Sequence, residues 1–174
     1  MGGMSSYERE LREIFSGNPG VIERVTKTCS SDEQRKYRRI IESPFIVVRA
    51  AGSMGIADIV ALRGDISFLV EIKTRKDSRI LFSHEGGRLQ QQAETMRTSC
   101  EQCRVLPLFA FRLKGMQGDS WRISSLAMNG LNGRAKLLHQ RLPHIEMTNS
   151  GNYVLDWHHG MKLSDFIDYV VSLA

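Results

Sequence analysis

The sequence predicts one α/β domain: a short run of β-strands enclosed by amphipathic helices. Three observations predict it. Apolar residues recur at helical spacing near both ends, with Tyr7, Leu11, Ile14 and Phe15 at one and Leu163 to Leu173 at the other. Between them lie strand-like runs at 45–49, 58–63 and 66–73, rich in Ile, Val, Leu and Phe. The chain has 174 residues, 41% hydrophobic and 25% charged. That length suits one domain of roughly 100–200 residues and can bury an ordinary core without staples.

The elements follow in order. Ser5 and Glu8, three apart, read as the capping box of a first helix. Gly17, Asn18, Pro19 and Gly20 are expected to break it. Ser31 to Gln34 reads as a second helix start, and that helix should end before Pro44, since the residue before proline is pushed out of the helical region. Strands at 45–49, 58–63 and 66–73 follow, with Gly52, Ser53 and Gly55 in the first connection and Gly64-Asp65 in the second. Residues 84–99 fit a helix with Leu89, Ala93 and Met96 on one side. Val105 to Phe111 reads as a buried strand, Gly115 to Asp119 as a turn, and Trp121-Arg122-Ile123 as the start of another strand. Beyond residue 127 the pattern weakens to a short strand at Tyr153-Val154-Leu155 and the final helix.

Composition excludes several classes. No apolar run approaches the ~18 residues of a membrane span. Met1 to Tyr7 lacks a basic stretch followed by an apolar one, so no secretory signal is expected. Three cysteines, an odd number, argue against a disulfide scaffold and for the reducing cytoplasm. The net charge is +5, and residues 44–126 carry 12 basic and 8 acidic side chains, so the excess concentrates there. A polyanionic partner is compatible with that distribution.

The chemistry concentrates at one hairpin. Gly64-Asp65 suits a type II′ turn, which pairs Arg63 with Ile66. Opposed residues then have numbers summing to 129, so Asp58 faces Glu71, and Lys73 points to the same side as Glu71. Two opposed carboxylates repel each other, and a divalent cation would remove the repulsion. Carboxylate oxygens suit Mg²⁺, which beside a phosphodiester would polarise an oxygen and lower the pKa of a bound water. Lys73, next to two anions, is assigned water orientation and charge stabilisation. The plainer alternative is a salt-bridged pair at a strand end. Ser53, between glycines, could bring a hydroxyl and backbone N–H groups to a phosphate or be an ordinary turn serine.

These residues resemble a family. Asp58, twelve residues, then Glu71-Ile72-Lys73 is similar to the metal-binding signature of restriction-endonuclease-like nucleases, with Ala57 where many members have proline. Tyr7-Glu8-Arg9-Glu10-Leu11, Val48-Arg49-Ala50-Ala51-Gly52-Ser53, Asp58-Ile59-Val60-Ala61 and Glu71-Ile72-Lys73-Thr74-Arg75-Lys76 together resemble the archaeal-type Holliday junction resolvases. The resemblance implies a restriction-endonuclease-like core with a mixed central sheet flanked by helices. It spans about residues 5–126, with 16–44 as an extended helical insertion and 127–174 as a C-terminal extension of a single nuclease domain. It also implies that Glu8 completes the acidic metal site with Asp58 and Glu71, and that Arg9, Arg49 and Ser53 contact DNA or the scissile phosphate. Left to itself, Glu8 reads as the capping-box partner of Ser5.

Other motifs are weaker. Arg75, Lys76 and Arg79 extend from Lys73 as a basic stretch suited to phosphate contact, or to a solvated strand end. Arg35, Lys36, Arg38 and Arg39 read as a solvated helix face. Cys100-x-x-Cys103 with Cys29 falls one ligand short of a zinc site, and His158-His159 lacks partners at ligand spacing. The expected function is Mg²⁺-dependent endonucleolytic resolution of four-way DNA junctions, with Mn²⁺ as a possible substitute. The rivals are a restriction-type or repair endonuclease with another DNA target, a catalytically silent DNA-binding module and an interaction protein. Two symmetric cuts with one site per chain imply a homodimer. Its apolar interface is expected outside the central hairpin, along Leu106 to Phe111 or Tyr153 to Val171.

Overall fold

A computed structural model describes residues 3–50, 55–83 and 85–174. Helix α1 (Ser6–Phe15) starts where the Ser5 hydroxyl accepts the N–H of Glu8, and it buries Leu11, Ile14 and Phe15. The expected breaker after it also starts a helix. Asn18 accepts the N–H groups of Gly20 and Val21, and Pro19 supplies a preset first turn, giving α2 (Pro19–Val25). Helix α3 (Ser31–Arg38) carries a reciprocal capping box between Ser30 and Glu33 and runs into a 3-10 turn at Arg39–Ile41, ahead of Pro44. Residues 16–44 are therefore helical, in two α-helices and one tighter turn.

The strands are β1 (Ile46–Arg49), β2 (Ile59–Arg63), β3 (Ile66–Arg75), β4 (Arg79–Leu81), β5 (Leu106–Leu113), β6 (Trp121–Ser125), β7 (Glu146–Met147), β8 (Tyr153–Asp156) and β9 (Met161–Lys162). Six form a mixed sheet in the order β1-β2-β3-β5-β6-β9. Only β3 and β5 run parallel, and helix α4 (Arg88–Cys103) lies in the crossover between them, as a parallel connection requires. Strands β4, β8 and β7 make a small second sheet. The C-terminal segment holds α5 (Gly133–Arg141), which the sequence pattern did not reveal. It also places β9 at the edge of the large sheet and α6 (Leu163–Ser172) in the main core.

Alternation along β5 divides the interior into two layers. Leu108 and Ala110 face the larger core with α1, α3, α5 and α6, where the rings of Phe15, Phe45, Phe68 and Phe166 meet at 4.8–6.2 Å. Phe109 and Phe111 face the other side, against Ala93, Met96 and Cys100 of α4 and against Phe82, Tyr153 and Trp157. Glu71 and Lys73 pair with Phe109 and Phe111, which places the hairpin's charged end in this second layer.

Two expectations are corrected here. The hairpin register is as expected, Arg63 opposite Ile66, but Gly64 is absent from the glycines with positive φ, so the turn is not type II′. Side-chain contacts lock this turn instead: Arg63 holds the Asp65 carboxylate through two nitrogens, stacks on Phe45 and donates to the Val170 carbonyl. The second correction concerns the apolar surface. Leu106 to Phe111 are buried, as are Tyr153 to Leu155, Trp157, Phe166, Ile167 and Val170, because they fill the two cores. Large exposed apolar side chains occur elsewhere, and three of them cluster on the hairpin and its neighbour: Ile46, Val48 and Leu62 are 71%, 50% and 39% exposed and share one sheet face.

Candidate active site at the end of the central hairpin

The ladder between β2 and β3 closes at Ile59 opposite Val70, one pair short of the expected opposition of Asp58 and Glu71. Asp58 instead donates its N–H to the Val70 carbonyl at 3.0 Å, and its own carbonyl accepts the Ala50 N–H at 2.9 Å. Its carboxylate accepts the Ile72 N–H at 2.7 Å. Backbone bonds to both neighbouring strands therefore hold Asp58 where the two strands part.

Glu71 is 4% exposed. One carboxylate oxygen accepts Lys73 Nζ at 2.7 Å, so the ion pair of the plainer reading is present. The other, Oε2, is buried with no hydrogen-bond partner among the described residues. Burial pushes the Glu71 carboxyl above the usual carboxylate range, the negative charge of Asp58 adds to this, and the Lys73 ammonium and the Gln92 amide oppose it. A buried carboxylate oxygen without a donor is costly, and such atoms are rare in native interiors. A hard cation would satisfy it. Mg²⁺ is commonly bound through one or two carboxylates with waters completing its shell, and Asp58 with Glu71 fits that donor set.

Glu8 makes only half of the expected capping box. Its N–H is capped by Ser5 at 3.1 Å, but its carboxylate does not complete the box; it lies 3.8 Å from Arg49 Nε. Arg49 is opposite Ile59 in the ladder, so this pair sits beside Asp58, on the α1 side of the sheet. Among the described residues no three His, Cys, Asp or Glu side chains converge to hold a metal ion. The structure thus gathers Asp58, Glu71 and Lys73 and leaves Glu8 against Arg49. Ser53 lies outside the described residues.

The profile of the family described as archaeal Holliday junction resolvase (Hjc) matches residues 26–173. The chain belongs to this family. The solved structure of Archaeoglobus fulgidus Hjc, described as a Holliday junction resolvase from an archaeal hyperthermophile, aligns with 19% identity over 72% of this chain and 88% of that one, at a TM-score of 0.49. No curated protein matches.

The matched range covers Asp58, Glu71, Lys73 and Arg49, while Glu8 and Arg9 precede it. Arg9, Arg75, Lys76 and Arg79 are exposed, and Arg75 donates to the Thr74 carbonyl. Lys36 and Arg39 are held by Asp165 and Asp168 of α6, and Arg35 by Asp32, so that cluster serves helix packing and a solvated face. Burial pushes the Cys29 and Cys100 thiols up to about 12, which leaves them inert near neutral pH. His158 and His159 are exposed, and His159 lies 3.7 Å from Glu146. The sequence reading missed Gln92. A signal existed: it falls three residues after Leu89 and four before Met96, a polar residue within an apolar stripe.

Proposed function

We propose that this member of the family is an Mg²⁺-dependent endodeoxyribonuclease that cuts four-way DNA junctions by paired symmetric incisions as a homodimer. On this reading the chain is a single nuclease domain working in the cytoplasm, where its three free cysteines stay reduced. The observation that carries the proposal is the buried Glu71 Oε2, which has no hydrogen-bond partner among the described residues and lies beside Asp58 at the open end of the hairpin. Asp58 and Glu71 would hold the cation, with Glu8 joining from α1, and Mn²⁺ could substitute. When bound, the cation would supply Lewis-acid activation of water and relief of phosphate charge.

The chain's own groups do the rest. Asp58 is held rigidly by backbone bonds, so its carboxylate needs no ordering when substrate arrives. Lys73 keeps its ammonium against Glu71, available to orient a water and to face the charge that develops on the phosphate. Arg9, Arg49, Ser53, Arg75, Lys76 and Arg79 would hold the DNA backbone.

The test incubates the protein with labelled four-way, three-way, flap and linear duplex DNA, with Mg²⁺ and with EDTA. The proposal expects cleavage of the four-way junction alone or by far the fastest, and only with the metal. Equal cutting of flap or duplex would indicate a nuclease with another target. Tight binding without any cutting would indicate a silent DNA-binding module.

A further inference from the structure

Beyond the hairpin's own basic run, the end of β5 adds a cation, Lys114, that belongs to none of the sequence motifs. The Lys114 N–H donates to the Arg75 carbonyl at 2.8 Å, extending the parallel β3–β5 pairing one step past Arg75 opposite Leu113. The side chain of Lys114 is exposed, and its ammonium lies 5.7 Å from the centre of the Tyr7 ring. The Arg112 guanidinium occupies the same ring at 4.6 Å and is already neutralised by Glu10 at 3.0 Å. Tyr7 directly precedes Glu8 on α1. Lys114 is thus anchored by backbone to the strand that carries Glu71 and Lys73, and by its ring contact to the helix that carries Glu8.

Charge makes this position useful. Among the described residues Arg75, Lys76 and Lys114 form no ion pair; Asp77 is the nearby acid in sequence, and it too is exposed. Arg75 stands two residues beyond Lys73 on the same side of β3, about 7 Å farther at ~3.3 Å per residue. Arg112, by contrast, has its charge spent on Glu10 and packs between elements.

We infer that Lys114 binds a DNA backbone phosphate, and that with Arg75, which leaves the sheet on the opposite face, and Lys76 it forms a strip leading one duplex arm around the end of the sheet from the central hairpin to α1. The inference deepens the proposed junction binding and rests on it. The Tyr7 ring limits the directions the ammonium can take, so the charge is partly preorganised for an anion.

Equilibrium binding of a labelled four-way junction and of a linear duplex, in EDTA, across a salt series tests this. Each phosphate contact contributes a slope of about −0.9 in log affinity against log salt. Lys114→Gln should reduce the magnitude of the slope by about one contact, so that over a fourfold rise in salt the variant loses ~3-fold less affinity than the unaltered protein. Lys114→Arg should restore the slope. An unchanged slope for Lys114→Gln on both DNAs overturns the strip. So does a reduced slope that Lys114→Arg fails to restore, which would mark a packing role. Failure of the resolvase reading shows separately, as equal affinity of the unaltered protein for junction and duplex, because phosphate contacts would register in the slope on either DNA.

Discussion

At Glu71, burial and charge oppose each other on one side chain. Desolvation raises its proton affinity more than Lys73 lowers it, so the folded state binds the proton more tightly than the unfolded chain. For a carboxyl raised on folding, the stabilising contribution is complete below the unfolded pKa and is lost as pH climbs through the folded one. Glu71→Gln removes that loss. In EDTA, its melting temperature should rise relative to the unaltered protein between about pH 4.5 and neutrality, the lower bound being the unfolded carboxyl pKa; a gap that stays constant across that window would refute the sign. The same variant, and Asp58→Asn, should abolish cleavage at saturating Mg²⁺ while junction binding is retained or strengthened, because an amide keeps the shape but loses the charge a cation needs. Cleavage that survives either change removes that residue from the site. Glu8→Gln separates the two roles read for Glu8. Its pair with Arg49 is long and partly exposed, so stability should barely change, whereas turnover should collapse if Glu8 joins the metal site. Normal turnover leaves it a surface partner of Arg49.

The packing of α3 and α6 against the sheet depends on one buried carboxylate. Asp119, just before β6, accepts the Tyr37 hydroxyl of α3 at 2.6 Å and the Ser164 N–H of α6 at 2.9 Å. Burial raises its pKa, and these bonds oppose the shift. Tyr37→Phe would leave one oxygen of that carboxylate without its donor at a site 5% exposed, at a cost of about 1–3 kcal/mol. Denaturant unfolding should show the loss as a lower midpoint with an unchanged slope, and cleavage should persist below the transition. No change in midpoint would mean that water replaces the hydroxyl. Strong helix starts were readable where capping chemistry is local, at Ser5 and at Ser31 to Gln34, the second of which the structure caps one residue earlier, at Ser30 with Glu33. Helix α5 was not, because its apolar residues answer to the shape of the core against β3 more than to a regular stripe.

For the whole molecule, the proposed function requires one Asp58–Glu71–Lys73 set per chain to meet a two-fold junction. A homodimer is the economical answer. On a cruciform plasmid, paired cuts within one bound lifetime yield linear product directly, and sedimentation at working concentration should give twice the chain mass. A monomer that accumulates nicked circles would exclude paired resolution. The exposed apolar face of β1 and β2 alters where an interface could lie, since the segments first considered for it are consumed by the two cores.

Local chemistry alone determined much about this protein. A two-residue turn at Gly64-Asp65 sets the register, because side chains alternate with a strict period of two, and so Asp58, Glu71 and Lys73 had to share the hairpin's end. Capping side chains act within three residues, and they placed α1 and α3. Tertiary structure decided what depends on contacts between distant segments. Closure of the ladder one pair early turned Asp58 toward the Ile72 N–H. Burial beneath α4 left Glu71 Oε2 without a hydrogen-bond partner among the described residues and brought the Gln92 amide near the carboxyl group. Arg49 drew the Glu8 carboxylate away from Ser5, and pairing with β3 anchored Lys114 beside Arg75. Each of these joins residues 14 to 41 positions apart, where the pattern of a single strand or helix carries no information about distance.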